Sequence, residues 1–376
     1  MDKKAISEVR RLFDKNDCRI DRMYGCYVSE NKEKITELKD TLHSLEDEEL
    51  FKYCELFKKV VSGRIGRTLF NVDFPLKEER EGGHQAYLYR LLKSGLKDET
   101  LVSDFFDRVI ESYRSSEKYL ILLVHGSYDV PGRTRDGIGL SDASEEVYHF
   151  LELSICSVLL LRDGLCYDAA EKAFFSRTED WSVQKPETGL LYPAFNERSS
   201  DIHAALWYAK NEKTRHDELA EALLGTELPR AETAEKDAFR AVLEAALGEQ
   251  CDYETVKNMN EAVVQIAETG KDAEEPAVVD HAELRRIFYD NGADEEAIAR
   301  LDLAYDEIIG AETQPLLAEN IAERKKLSVK SDHLSMEIAP ESAAVIETRV
   351  IDGTEYFLIP VRDNVTVNGV RIRSKA

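Results

Sequence analysis

Apolar residues recur at two different spacings in the first half of the chain. From Leu50 onward they return every three or four positions, which predicts a helix over 47–62 that ends at Gly63. A similar helical face follows Asp98. Residues 119–124, in contrast, form an unbroken apolar run, which predicts a buried strand at the centre of a sheet.

A second long apolar stretch at 147–161 ends in β-branched and leucine residues, which favours a strand that pairs back on this first run. Residues 125–146 are then expected to be a long flap between the two strands. The segment 18–29 predicts one or two strands with a bend at Gly25, and residues 202–210 favour another strand.

The character of the chain changes twice after these segments. A stretch rich in Ala, Glu and Leu at helical spacing is followed by strand-like residues around Asp352-Gly353, a strong hairpin-turn signal. We therefore predict an α+β domain over 1–228, with a mainly antiparallel sheet and flanking helices. A helical module over 229–326 and a small β meander over 327–376 complete the chain.

Composition narrows the classes of protein. The chain of 376 residues has 50 Lys and Arg against 74 Asp and Glu, a net charge of −24 that repels nucleic-acid phosphates. No apolar run reaches the roughly 20 residues that span a bilayer. The six cysteines contain no Cys-x-x-Cys pair and indicate reduced thiols. We predict a cytoplasmic protein that acts with a protein partner and does not bind a membrane, and the net charge disfavours nucleic-acid binding.

The segment after the first apolar run carries the first set of candidate residues. His125 can act as a general base, with Asp129 to orient it. Arg133 and Arg135 can hold a phosphate or carboxylate through paired hydrogen bonds. The alternative is a hairpin flap rich in turn residues, in which both arginines are solvated or pair with nearby acids.

A second polar-rich segment precedes the strand predicted at 202–210. Asn196 and Arg198 can bind a ligand, and three further side chains offer a set of metal ligands: Glu197, Asp201 and His203. The alternative is a turn whose polar side chains satisfy backbone groups. A shared site requires this segment and the His125 segment to converge.

Familiar catalytic motifs are missing from the sequence. There is no G-x-S-x-G, G-x-G-x-x-G or H-E-x-x-H pattern and no kinase set. The glycines at 63–68 lack the spacing and lysine of a phosphate-binding loop and are better explained as a helix end and turn. The sequence therefore does not identify a cofactor.

Several long segments of the sequence nevertheless resemble those of a known family. They are GCYV at 25–28, SGRIGRTLFNVDFP at 62–75, the strand and loop at 119–132, LYPAFNERSSDIHAALWYAK at 191–210 and VIETRVIDGTEYFLIPV at 345–361. Over nearly its full length the chain is similar to a bacterial family of uncharacterised proteins that share a domain of unknown function. The resemblance implies a bacterial cytosolic setting and brings no reaction, cofactor or catalytic residue.

Three functions are compatible with these observations. The leading hypothesis is a non-catalytic interaction or regulatory protein, with the 125–146 flap and the helical module as contact surfaces. The alternative is a hydrolase of a phosphate-bearing small molecule or nucleotide, which uses His125 together with the 196–203 loop. The third is a nucleic-acid-associated protein with a local basic face. Oligomeric state is left open.

Overall fold

The chain divides into two compact units, Met1–Glu232 and Thr233–Ala376, in a computed structural model. The structure describes residues 1–14, 18–39, 45–133, 139–161, 164–168, 171–177, 179–271, 273–310, 314–324, 326–339, 346–359, 366–367 and 370–371. The division into three domains stays a prediction.

The first unit contains one large antiparallel sheet and the helices around it. Its helices are α1 (Lys3–Arg11), α2 (Asp47–Val60), α3 (His84–Ser94), α4 (Glu99–Ser112) and α5 (Asp217–Leu224). Its strands are β1 (Ile20–Val28), β2 (Lys34–Leu38), β3 (Leu69–Asp73), β4 (Lys118–Arg133), β5 (Gly139–Leu161), β6 (Gly164–Asp168), β7 (Ala173–Arg177), β8 (Asp180–Val183), β9 (Thr188–Tyr192), β10 (Ala194–Asn196), β11 (Ser199–Asp201) and β12 (Ala204–Ala209).

Eight of these strands form the sheet in the order β2-β1-β4-β5-β9-β12-β3, with β8 paired beside the end of β5. The hairpins β6–β7 and β10–β11 are separate two-stranded sheets. The predicted α+β class and antiparallel sheet are confirmed.

Helices cover both faces of the sheet, which explains the unbroken apolar run at its centre. Tyr119, Ile121 and Leu123 pack on the face with α3, α4 and α5, which we call the α3 face. Leu120, Leu122 and Val124 pack with α1 and α2 on the opposite α2 face. A strand buried on both faces has no polar side to alternate with its apolar one.

Several predicted elements are confirmed. The helix predicted over 47–62 is α2, and Asp98 caps α4 by accepting hydrogen bonds from the backbone of Thr100 and Leu101. The strand predicted at 202–210 is β12. The predicted pairing of 147–161 with the first apolar run is the β4–β5 ladder, in which Ile121 lies opposite Ile155.

The prediction of a flap over 125–146 is wrong for the described residues at its two ends. The β4–β5 ladder continues from Lys118 opposite Val158 to Arg133 opposite Gly139. Beyond Val124 most apolar residues of the ladder, among them Val130 and Phe150, lie on the α2 face, while polar residues join Leu151 on the α3 face. This alternation is typical of a strand buried on one side, and its polar half resembles a loop in the sequence.

Two smaller expectations also need correction. Strand β1 runs without interruption through Gly25, so no bend divides it there. Helix α3 was not predicted, although Leu88, Leu91 and Leu92 form part of the core on its own face. These leucines do recur at helical spacing, so the signal for α3 was present in the sequence.

The second unit joins a helical core to small hairpins. Its helices are α6 (Glu232–Leu247), α7 (Tyr253–Thr269), α8 (His281–Asp290), α9 (Glu295–Ile308) and α10 (Ala318–Ile321). Its strands are β13 (Val278–Val279), β14 (Leu316–Leu317), β15 (Leu327–Lys330), β16 (Ser335–Ile338), β17 (Glu347–Ile351), β18 (Thr354–Leu358), β19 (Thr366–Val367) and β20 (Val370–Arg371). The strands pair as separate two-stranded hairpins. Asp352 and Gly353 turn the β17–β18 hairpin with φ of 51° and 79°, as predicted.

The close approach of α2 to β9 makes Gly189 a sensitive position. A Cβ atom there would lie 2.4 Å from the Leu153 carbonyl oxygen and 2.7 Å from a methyl group of Val60. We expect Gly189→Ala to lower the free energy of unfolding by about 1–3 kcal/mol, because overpacking displaces neighbours. Urea unfolding measures this loss.

The matched control for this substitution is Gly164→Ala. A Cβ atom at Gly164 meets nothing within 4 Å, so we expect a change within about 0.5 kcal/mol. Equal losses in the two variants would contradict the packing of α2 on β9.

Candidate active site

A β-bulge at the start of β1 places an acidic residue beside His125. Ile20 lies opposite Gly126 and Arg22 lies opposite His125, so Asp21 is the extra residue between the two pairs. Ile20 and Met23 are both buried on the α2 face. The extra residue therefore leaves Asp21 and Arg22 on the α3 face together, which is a common use of a bulge near functional residues.

His125 is held by contacts from three adjacent strands. Its Nδ1 lies 3.1 Å from Asp21 Oδ2, and Asp21 Oδ1 accepts a hydrogen bond of 3.0 Å from the Ser127 hydroxyl. The ring of His149 stacks on His125 with a centroid distance of 5.6 Å. His125 is 8% exposed, whereas His149 and Asp21 are open to solvent.

These residues line a cavity of about 470 Å³ between the sheet and the end of α3. Arg22 from β1 and two exposed lysines, Lys93 and Lys97, also line it. Gly95 ends α3 in the left-handed conformation, with φ of 56°, between these two lysines. Three cationic side chains thus line the same cavity as His125 in a chain whose net charge is −24, which favours an anionic ligand.

Burial lowers the pKa of His125, Asp21 opposes this effect, and His149 lowers the pKa further. The neutral imidazole is therefore favoured in the folded protein. A neutral imidazole that directs Nδ1–H at a carboxylate leaves Nε2 unprotonated, which is the form of a general base.

The remaining candidates of the His125 segment do not join this cavity in the described structure. Asp129 is exposed on β4, four residues beyond His125, about 13 Å along the strand. Arg133 is the last residue of β4, and its side chain lies with Arg135 outside the described residues.

The second polar-rich segment is the β10–β11 hairpin. Glu197 and Arg198 occupy its two turn positions with φ of 49° and 62°, and Asn196 donates a 2.7 Å hydrogen bond to Asp201. Arg198 donates two hydrogen bonds, of 2.6 and 2.9 Å, to the carboxylate of Glu8. These turn conformations and hydrogen bonds give most of the polar residues of this segment a structural role.

The hairpin and His125 belong to opposite faces of the sheet. Glu8, the partner of Arg198, also accepts a hydrogen bond from Tyr128, which packs on the α2 face. His125 stacks on His149 and lines the cavity on the α3 face. The structure does not bring Arg198 to His125.

The three predicted metal ligands are dispersed. His203 Nδ1 lies 2.8 Å from Glu79, just before α3, whereas His125 lies beside its other end. The length of α3 separates these ends by about 15 Å. Within the described ranges no group of three or more His, Cys, Asp or Glu side chains is arranged to hold a metal ion, so the metal prediction gains no support.

Sequence reasoning missed most of the residues that surround His125, namely Asp21, Arg22, Lys93, Lys97 and His149. Only His149 carried a usable signal. The predicted pairing of 147–161 with the preceding strand could have placed it near His125, and in the structure it lies opposite Ser127.

Comparison with known proteins adds a family to this geometry. A family model described as a domain of unknown function, DUF4317, matches residues 1–370. The chain belongs to the DUF4317 family. The resemblance predicted from the sequence is thus confirmed over nearly the full length. No curated protein and no solved structure matches the chain.

The family description names no reaction. Any inference about the chemistry of the DUF4317 chain therefore rests on its geometry.

One further structural finding concerns membranes. Among the helices that the structure describes, none is long and apolar enough to cross a bilayer.

The lowered pKa of His125 predicts a pH-dependent stability. As the pH falls through about 6.5, the unfolded chain takes up a proton that the folded state resists, so the free energy of unfolding decreases. We expect His125→Gln to lose this component. The measurement is urea unfolding of both proteins at several values between about pH 7.5 and 5.5.

The difference between wild type and variant isolates His125, because burial also lowers the pKa of His216 in both proteins. A stability difference that stays constant across this range would contradict the assignment. Titration of the imidazole by NMR provides an independent check.

Proposed function

We propose that the protein binds a phosphate-bearing small molecule in the His125 cavity and hydrolyses it. The observation that carries this proposal is the Asp21–His125 pair within a cavity lined by Arg22, Lys93 and Lys97. A carboxylate-oriented neutral imidazole supplies a base, and the cationic side chains supply charge for a phosphate.

The hydrolytic step follows from these roles. His125 takes a proton from a water molecule, whose oxygen forms a new bond to phosphorus as the bond to the ester oxygen breaks. The leaving oxygen takes up a proton, a role that we assign to His149, whose ring stacks on His125. Arg22, Lys93 and Lys97 compensate the negative charge that the phosphoryl group carries.

This proposal keeps the base of the hydrolase hypothesis and changes its anion-binding residues. The three cations of the cavity replace Arg133, Arg135 and the 196–203 loop. We propose a small ligand because the net charge of −24 opposes an extended nucleic-acid backbone. A bacterial cytoplasm remains our proposed setting.

The first test is the turnover of p-nitrophenyl phosphate and bis-p-nitrophenyl phosphate. We expect His125→Ala to lower kcat by about 10²- to 10⁴-fold, because a general base contributes that much. His203→Ala is the matched control, since His203 pairs with Glu79 away from the cavity. We expect this control to retain wild-type activity.

The two lysines test binding separately from chemistry. Lys93→Gln combined with Lys97→Gln is expected to raise KM by about tenfold, the effect of losing a charged contact, with a smaller effect on kcat. Wild-type protein that neither turns over these esters nor binds inorganic phosphate by calorimetry would refute the proposal.

We also propose that a protein partner binds to the aromatic surface of the β6–β7 hairpin. Leu165 and Phe174 are 76% and 71% exposed there, and the exposed Tyr167 lies opposite Phe174 in the hairpin. Exposed clusters of large apolar residues commonly mark interaction sites. This observation supports the interaction part of the leading hypothesis, whereas the hydrolysis proposed above departs from its non-catalytic part.

The charge of the chain selects the partner's chemistry. Glu171 is exposed in the turn before β7, and two copies of a chain with net charge −24 repel each other. We therefore propose a different protein, with an apolar centre and a basic rim. The 125–146 segment and the helical module stay predicted contact surfaces.

Cross-linking in cells through Lys172 and Lys185, followed by mass spectrometry, tests this surface. We expect cross-links to one basic partner to be lost with Leu165→Ser and Phe174→Ser, because buried apolar anchors dominate binding energy. Leu303→Ser on α9, at a residue 72% exposed, is the control. Loss in this control, or cross-links only between two copies of the chain, would contradict the proposal.

A further inference from the structure

Two of the six cysteines lie side by side. The Sγ atoms of Cys18 and Cys54 are 3.2 Å apart, although 36 positions separate them in the sequence. The remaining thiols have other surroundings: Cys26 and Cys156 are buried, Cys166 is half-buried, and Cys251 is exposed. No Cys-x-x-Cys pattern pointed to this pair, because one member precedes a strand and the other lies on a helix.

Contacts on either side hold the two thiols together. Arg19, next to Cys18, donates its backbone N–H to the Leu12 carbonyl oxygen at 2.9 Å. Lys58, one turn beyond Cys54 on α2, pairs with Asp14 at the end of the α1 segment. The chain before β1 is therefore tied to α2 by an ion pair as well as by the thiol contact.

We propose that Cys18 and Cys54 form a reversible disulfide when the protein meets a peroxide. A disulfide has a bond of about 2.05 Å, so the two sulfur atoms need to approach by about 1 Å. In a reducing cytoplasm such a pair is a redox-sensing site and its cross-link is transient. The proposal is independent of the His125 cavity.

The chemistry assigns different roles to the two thiols. Cys18 is the more exposed thiol, so its thiolate attacks one peroxide oxygen. The O–O bond breaks, a water molecule is released, and Cys18 becomes a sulfenic acid. The Cys54 sulfur then attacks the sulfur of Cys18 and releases a second water. Two thiols lose two electrons and two protons, and hydrogen peroxide becomes two water molecules.

The environment of Cys54 suits the second step. Its hydrogen bond with Cys18, together with burial, raises the pKa of Cys54, so it stays a protonated thiol in the resting protein. A thiol that donates a hydrogen bond to a neighbouring sulfur stabilises the thiolate of that neighbour. Burial also shields Cys54 from direct attack by the oxidant.

The experiment treats the full-length reduced protein with hydrogen peroxide, alkylates the remaining thiols, and maps tryptic peptides by mass spectrometry. We expect peptides 16–19 and 53–58 to appear as one cross-linked species that dithiothreitol separates. The oxidised protein should also melt at a higher temperature, because the cross-link restricts the unfolded chain.

Controls separate this pair from general oxidation. Cys54→Ala should abolish the cross-linked species, and Cys251→Ala should retain it. Wild-type protein that keeps all of its thiols under peroxide, or that cross-links mainly through Cys166 or Cys251, would overturn the proposal. Because the wild-type map alone decides between these results, the test holds even if the Cys54 variant folds poorly.

Discussion

The antiparallel pairing of β4 with β5 is the interaction on which the first unit depends. Over its first half, from Lys118 opposite Val158, this ladder is buried on both faces and joins the cores under α2 and α3. Over its second half it is covered on one face only, and polar side chains appear on the other. The same ladder therefore supplies a rigid core at one end and positions His125 beside His149 at the other.

The candidate site combines this rigidity with an electrostatic contrast. A buried imidazole is costly to protonate, so the ladder keeps His125 neutral, while the bulge in β1 brings Asp21 to orient it. Cationic side chains come from outside the ladder, from Arg22 and from the end of α3. Within the described residues, the cavity beside His125 thus gathers three cationic side chains in a strongly acidic chain.

The sequence predicted the elements with strong apolar periods, including α2, α4 and the β4–β5 pairing. The prediction from sequence failed where a strand changes from two buried faces to one. This happens in β4 after Val124, where the polar residues resemble a loop. His125 was identified because it directly follows an apolar run. Asp21 was beyond reach, because a bulge reverses the side of one residue without changing composition. Lys93 and Lys97 lie at the end of α3, a helix that was missed although its leucines have helical spacing.

The strand order has a consequence for folding during synthesis of the chain. Val28 of β1 pairs with Tyr119 of β4, and Asp73 of β3 pairs with Ala204 of β12, so early strands wait for partners made much later. Such non-local pairing slows folding. As the chain leaves the ribosome, β1 can pair with β2 early but waits for β4, and β3 stays without its neighbour β12 until most of the first unit has been synthesised. Unpaired strand edges invite aggregation, which makes this interval a natural point for chaperone assistance.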